Sequence, residues 1–577
     1  MAGETSTTEP LLAELNRRNS IDDISETLPK TTGYGTTEVK PRFTRKRLLI
    51  VGSVLMTELC ERLTYYSVVA NLILFCTSTL DISSTDAARI NLVFSGSVFI
   101  IPIFGGYIAD AFTGKYNAIF GSGLIYVIGL VLLPASAVDY KAWFGNQNDI
   151  STETRRGFFI SSLVLIAIGT GGIKANVGPF GAQQVENLGP QAVQSFFNWF
   201  YWFINVGAII AYSGVAAVQQ DVGFDVGFLI PLISMIIALV IFVLNKSKYN
   251  TSPAGDSVLQ DTIGVCWASK YKGFNNARND NGGKYSNEMV DGVIAVLRIL
   301  PVFLFVIMYW AIYSQMSTTF FLQSERMDIK VGSGNVPVAV LNIFDTIIII
   351  VLIPIMESFV YPFLERIHRS PSHLQRMGIG MILAAMSVFV AGILEIYRKK
   401  DINIIGQTLA GDTFNASSIS VFAQVPQFTL IGASEVFTSI SGLEFAYSQA
   451  PDFMQGVCMG LFLATSGIGG YVAELILEIV VALTGSNPPD SWFPDEINDG
   501  KTEYLFFLLG ILMLIDFVLF AIIAFFYKYR KLEKVEAEIP ESTQDINCII
   551  NESVKTTTPQ HVVIKYDNRE QHLTTEM

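Results

Sequence analysis

The sequence predicts an all-α membrane protein of twelve transmembrane helices arranged as two six-helix halves. Three observations carry that prediction. The chain of 577 residues is 51% hydrophobic and only 15% charged, with a mean hydropathy of +0.44. A helix needs about 20 consecutive apolar residues to cross the hydrocarbon core, and runs of that kind recur about twelve times. A long polar stretch near residues 246–293 falls in the middle of the series and divides it into two equal sets.

In chain order, residues 1–47 are polar and rich in Ser and Thr, with no apolar core suited to a cleaved signal peptide. They read as a disordered cytosolic tail, which makes the first span a retained anchor. Spans are expected near 48–76, 88–109, 116–138, 157–176, 195–218 and 226–245, together an N-terminal half over 48–245. The first is long and interrupted by polar residues, which predicts a tilt or a break. Beyond a cytosolic linker (246–293), the C-terminal half (294–530) holds runs near 294–322, 337–365, 374–396, 420–447, 453–484 and 503–529. Residues 531–577 are charged and read as a second disordered cytosolic tail.

Orientation follows from the Lys/Arg bias. "RFTRKR" (42–47) precedes span one, "YKYRKLEK" (527–534) follows span twelve, and Arg366, Arg369 and Arg376 surround the loop after span eight. The positive-inside rule then puts both termini in the cytosol. Asn415, in "NAS" between spans nine and ten, is a glycosylation acceptor on the side this topology makes non-cytosolic. The basic run 398–400 falls on that same outer side, against the bias.

Several classes are disfavoured. The cysteines (60, 76, 266, 458 and 548) have neither paired nor metal-ligand spacing and read as apolar fillers or free thiols. No nucleophile–base arrangement, metal cluster or phosphate loop stands out, so no enzyme, cofactor or metal site is expected. The net charge of −13 is spread through tails and loops, and no nucleic-acid partner is expected. Membrane lipid is the surrounding medium.

"ELCERLTYY" (58–66) stands out inside the first span. A charge near the bilayer centre costs about 2.5–3.5 kcal/mol even on a mild insertion scale. On a helix, Glu58, Glu61 and Arg62 stand at i, i+3 and i+4, so Glu58 and Arg62 share a face and Glu61 flanks it. Such a cluster suits the coupling of a proton to a conformational change, because each carboxylate responds to its partner. A permanent interhelical salt bridge is the structural alternative. Lys174, on the Gly-rich span four in "GTGGIKANVGPFGAQQ" (169–184), needs a partner, and Glu58 or Glu61 is the natural one; snorkelling to the interface is the alternative. Between spans two and three, "GGYIADAFTGKY" (105–116) supplies Gly106 and Gly114 for a tight turn. There Asp110 can cap or pair with a neighbouring helix end, a gating role, unless it is a plain turn residue. Twelve spans with this loop match major-facilitator architecture, whose substrate cavity lies between the halves near mid-membrane.

The motifs now carry a family resemblance. "ELCERLTYY" is similar to the ExxER-F-x-YY signature of proton-coupled oligopeptide transporters. "GTGGIKANVGPFGAQQ" and "FNWFYWFINVGAII" (197–210) resemble that family's spans four and five. "YWAIYSQM" (309–316), "VLIPIMESFVYPFLER" (351–366) and "SEVFTSISGLEFAYSQAP" (434–451) resemble spans seven, eight and ten. The resemblance covers most of 48–530 and implies the following roles. Arg62 and Lys174 face the carboxylate of a bound peptide, Glu58 and Glu61 exchange partners with them, and one acid accepts the proton. Glu435, alone in an apolar stretch, takes the substrate ammonium, or else is a helix-packing acid. Asn205 and Asn342 hydrogen-bond the peptide backbone, while Tyr65, Tyr66 and Trp310 wall the pocket.

Departures from the pattern point within the family. Val69 replaces an arginine, Leu92 a span-two histidine, Phe99 a pocket tyrosine and Ser314 an acid of span seven. Together with Asp345 in "NIFDTII" (342–348), they resemble the peptide/histidine transporter branch, with Asp345 a second cavity acid or a buried hydrogen-bonding one. That branch implies symport of protons with di- and tripeptides, and histidine, from the endolysosomal lumen to the cytosol by alternating access. "TEPLLAEL" (8–15) resembles a dileucine sorting signal; the plasma membrane is the alternative location. Two rival functions remain: a symporter of a non-peptide solute, and an endolysosomal signalling platform whose tails recruit a cytosolic adaptor with little transport.

Overall fold

Asn71 breaks the first membrane helix. The computed structural model describes residues 45–529, apart from 142–144, 146–149, 189, 252–257, 271–272, 333, 402–403 and 486–487. Both tails, with the sorting-like stretch 8–15, lie outside the described residues. Arg45–Ala70 and Leu72–Leu80 meet at 49°. At the break, Asn71 Nδ2 donates to the Ala216 carbonyl (3.0 Å) and to Gln219 Oε1 (3.1 Å), and Gln219 Nε2 donates to the Ser67 carbonyl (2.8 Å). A buried amide bonded across to another span diverts the helix ladder locally, and a kink results. The polar interruption therefore produces a bend and, with it, a tie between spans one and five.

The first half continues with Ser84–Ile108, Lys115–Ala137, Thr152–Gln183, Pro190–Ile210 and Phe224–Leu244 as spans two to six. The second half holds Asn287–Tyr313 as span seven, Asn342–Ile355 as span eight and His373–Lys400 as span nine, with Gln455–Thr484 and Thr502–Phe526 as spans eleven and twelve. Among the described residues, ten helices are long and apolar enough to cross a membrane, and the bent first pair makes an eleventh. Span ten completes twelve: Val425–Glu435, a π stretch Val436–Ile440 and Ser441–Gln449 run on without a gap. Glu435, Glu444 and several Ser and Thr interrupt its apolar run. Residues through Phe525 form one compact unit; the described stretch from Phe526 belongs to a second.

Among the described residues, two antiparallel strand pairs depart from an all-helical plan, and the shorter joins Lys330–Val331 to Gly334–Asn335 between spans seven and eight. Ile404–Leu409 and Asp412–Ser417 form an antiparallel hairpin between spans nine and ten, turning at Ala410 (φ 50°) and Gly411 (φ 94°). Positive φ at both central residues is what a two-residue hairpin turn requires, and alanine adopts it less readily than glycine. The linker also contains a helix, Val258–Ser269, which buries Val265 and leaves Ile263 and Trp267 exposed.

Spans two and eleven pack against each other and join the halves, as spans five and eight do. A Cβ at Gly96 would lie 2.8 Å from the Gly467 carbonyl oxygen, so the two backbones touch. Small residues at a membrane helix crossing allow that approach. Toward the end away from the termini the seam is stitched by Ser97 and Tyr471 hydroxyls (2.7 Å) and by Arg89–Glu478 (3.0 Å). Asn91 Nδ2 donates to the Ser317 carbonyl (2.7 Å), and the Val338 N–H donates to Gln220 Oε1 (3.2 Å). The halves are therefore closed upon each other at that end.

The basic run that opposes the expected orientation is largely neutralised within the fold. Arg398 is buried and reaches Glu395 Oε1 at 2.6 Å and Oε2 at 2.9 Å, while Lys399 reaches Glu503 at 2.5 Å. Both are structural ion pairs rather than free loop charges.

Candidate functional site

Helical spacing brings the first cluster together. Arg62 Nε lies 2.8 Å from Glu58 Oε1 and 2.7 Å from Glu61 Oε2, and all three residues are buried. The Nε–H donates to Glu58 and stands in ion-pair contact with Glu61, while Glu58 Oε2 and both Glu61 oxygens have no hydrogen-bond partner. Lys174 approaches from span four, which lies so close to span two that a Cβ at Gly105 would sit 2.6 Å from the Gly171 carbonyl oxygen. The direct pairing with Glu58 or Glu61 expected from sequence does not form. Instead Lys174 Nζ lies 3.1 Å from the centre of the Phe99 ring and 5.8 Å from that of Tyr65, without a hydrogen-bond partner. Arg62 already engages both acids, so the second cation settles on a ring face, an attraction worth about 2 kcal/mol or more when desolvated. Glu58, Glu61 and Arg62 remain its electrostatic neighbours.

The second cluster belongs to the other half. Asp345, in the first turn of span eight, and Glu435, in span ten, interact with each other and with Tyr313 of span seven. The Tyr313 hydroxyl lies 3.5 Å from Asp345 Oδ2. Asp345 Oδ1 and Glu435 Oε2 are buried without hydrogen-bond partners. The absence of a side chain at Gly432 makes room for this: a Cβ there would stand 2.7 Å from Asp345 Oδ1. The Trp310 and Tyr313 rings are 5.2 Å apart, and the Tyr309 hydroxyl lies 3.3 Å from Ser434 Oγ.

Aromatic side chains connect the clusters. The Tyr65 and Tyr66 rings are 5.3 Å apart, and Tyr66 meets Tyr212 of span five at 5.4 Å. Tyr66 is an electrostatic neighbour of both Arg62 and Glu435, and Tyr201 of both Glu435 and Asp345. Phenol side chains of the first half are thus electrostatic neighbours of carboxylates of the second. Asn205 Nδ2 donates to the Tyr201 carbonyl (2.8 Å), and Asn342 Nδ2 to the Ala339 carbonyl (3.0 Å), so each amide is anchored to its own helix.

Other expected residues stand apart from these clusters. Gly114 (φ 76°) makes the turn into span three, and Gly106 lies in ordinary contact with Ala175. Asp110 is exposed in the π stretch Ala109–Thr113 and forms neither a helix cap nor an ion pair. Asn415 is exposed on the hairpin. Sequence reasoning did not find Tyr201, Tyr212 or Tyr313. Two had a usable signal: Tyr201 precedes Asn205 by one turn, and Tyr313 follows Trp310 by nearly one. Among the described residues, no group of His, Cys, Asp and Glu is placed to hold a metal ion.

Residues 116–493 match a family model described as the POT family. The chain is 33% identical over 537 residues to protein NRT1/PTR family 8.1 of Arabidopsis thaliana, which covers 83% of this chain and 93% of that protein. It is 30% identical over 539 residues to solute carrier family 15 member 3 of Rattus norvegicus, with 83% and 92% covered. A solved auto-inhibited POT family peptide transporter has a TM-score of 0.69 at 23% identity, over 85% of this chain and 99% of its own.

Proposed function

The chain belongs to the POT family, a family of membrane transporters, and on that premise we propose that it symports protons with di- and tripeptides, and histidine, from the endolysosomal lumen to the cytosol. The observation that supports this reading is the opposed polarity of the two buried clusters. Cations of the first half (Arg62, Lys174) suit a substrate carboxylate, and Glu435 of the second, whose Oε2 has no hydrogen-bond partner, suits its ammonium.

The mechanism follows from partner exchange. Protonation of Glu58 or Glu61 removes one of the two charges that hold Arg62, and the guanidinium turns toward the substrate carboxylate. Lys174, held only by ring faces, joins it. With both ends of the substrate matched, each cluster has gained a counter-charge, and the halves can rock about the span-two and span-eleven seam. Opening toward the lumen requires Arg89–Glu478 and the Gly96–Gly467 contact to part. A lumen about two pH units below the cytosol supplies about 2.7 kcal/mol per proton, enough for about a hundredfold substrate gradient.

The test is uptake of labelled dipeptide and of labelled histidine into proteoliposomes, with and without an inward pH gradient. Uphill accumulation that collapses with the gradient is expected. Flux of both solutes indifferent to pH would overturn the reading, and location is checked by co-purification with acidic organelles.

A further inference from the structure

The two clusters differ in their charge balance. The first contains two carboxylates and two cations: Glu58, Glu61, Arg62 and Lys174. The second contains Asp345 and Glu435, and among the described residues no lysine, arginine or histidine interacts with either. The groups that face Asp345 from the elements around it are Glu435 of span ten, Tyr309 and Tyr313 of span seven, and Tyr201 and Tyr212 of span five. All except Glu435 are neutral phenols. A buried carboxylate without a cation or enough donors is strongly disfavoured, and two side by side are worse.

A zwitterionic peptide does not resolve this. Its ammonium matches one acid and its carboxylate goes to Arg62 and Lys174, so one acid is left over. Asp345 is 7% exposed, and its Oδ1 lacks a hydrogen-bond partner and points at the space left by Gly432, one turn before Glu435. We propose that Asp345 is a subsite for a second positive charge on the cargo, so that a cationic side chain docks beside it while the ammonium sits on Glu435. When the side chain is neutral, a proton drawn from the lumen takes that place and is released to the cytosol with the peptide.

The consequence is a variable stoichiometry: a neutral dipeptide moves with one more proton than a cationic one. This inference rests on the peptide-symport reading, and its test is arranged so that each can fail separately. Ala-Gln and Ala-Lys are equilibrated with wild-type proteoliposomes at zero membrane potential and an inward gradient of about one pH unit. One extra proton makes the limiting accumulation of Ala-Gln about tenfold higher than that of Ala-Lys. Asp345→Asn is expected to remove that difference by lowering Ala-Gln accumulation, and Asp345→Glu to restore it. Equal accumulation of both peptides by the wild type would overturn the subsite while leaving symport intact. Accumulation of neither would overturn symport itself. The wild-type comparison decides the matter even where the Asn variant inserts poorly.

Discussion

The ammonium of Lys174 lies 3.1 Å from the centre of the Phe99 ring, against the ring face and not against a carboxylate. In a helix bundle immersed in hydrocarbon, this gives the second cation a resting place that is weaker than an ion pair. It can leave without first separating opposite charges. Phe99→Leu keeps the bulk and removes the ring quadrupole. The variant is expected to lose about tenfold in proton-driven dipeptide uptake, the equivalent of about 1.4 kcal/mol. Phe99→Tyr retains the ring and is expected to stay near wild type. Full activity in the leucine variant would mean the ring contact has no part in coupling.

Glu435→Ala is expected to abolish peptide uptake. An ammonium brought into a buried site without its counter-charge loses about 3–5 kcal/mol, which exceeds a hundredfold in rate. Lys174→Ala should behave differently: accumulation against a gradient is lost, while exchange of peptide for peptide persists. Initial-rate uptake and counterflow on the same vesicles separate these outcomes. Undiminished uphill transport would remove Lys174 from the coupling scheme.

At the seam between the halves, a side chain at position 96 meets backbone. Gly96→Val places its Cβ 2.8 Å from the Gly467 carbonyl oxygen and should force spans two and eleven apart. The expected result is a population shifted toward the state open at the end away from the termini. Labelling of Gln220→Cys by an impermeant thiol reagent, which approaches only from that end, should accelerate. Arg89→Gln removes a partly exposed pair, worth about 0.2–1 kcal/mol, and should accelerate labelling less than about fivefold. No change in either variant would show that this contact does not keep the cavity shut.

Much of the fold was legible because lipid imposes length and apolarity on every span. The break at Asn71 was also foreshadowed by the polar residues of that run. The charged cluster could be read because Glu58, Glu61 and Arg62 are neighbours on one helix, where spacing alone sets geometry. The partner of Lys174 could not. It depends on Arg62 lying against both acids at once and on where Phe99, on a third helix, presents its ring. The basic run at 398–400 was misleading for a similar reason. Glu395 stands three residues before Arg398 and was visible, but Asn498 and Glu503, which complete those pairings, lie about a hundred residues away in sequence.

That outer network gives the last prediction. Glu395 is fully buried and accepts from two of the three Arg398 guanidinium nitrogens as well as from Gln323 Nε2 at 2.8 Å. Arg326, nearby, spans Glu325 at 3.1 Å and Glu496 at 2.9 Å, so charge as well as apolar packing clasps the ends of spans seven, nine and twelve. Glu395→Gln keeps the shape and leaves the Arg398 guanidinium buried without its counter-charge, at about 3–5 kcal/mol. The detergent-solubilised variant should melt well below the wild type while its peptide affinity is retained, since none of these residues touches the cavity clusters. Lys501→Gln, which breaks the exposed pair with Asp490, should leave the melting temperature nearly unchanged. Equal melting of the two variants would show that burial does not set the strength of this clasp.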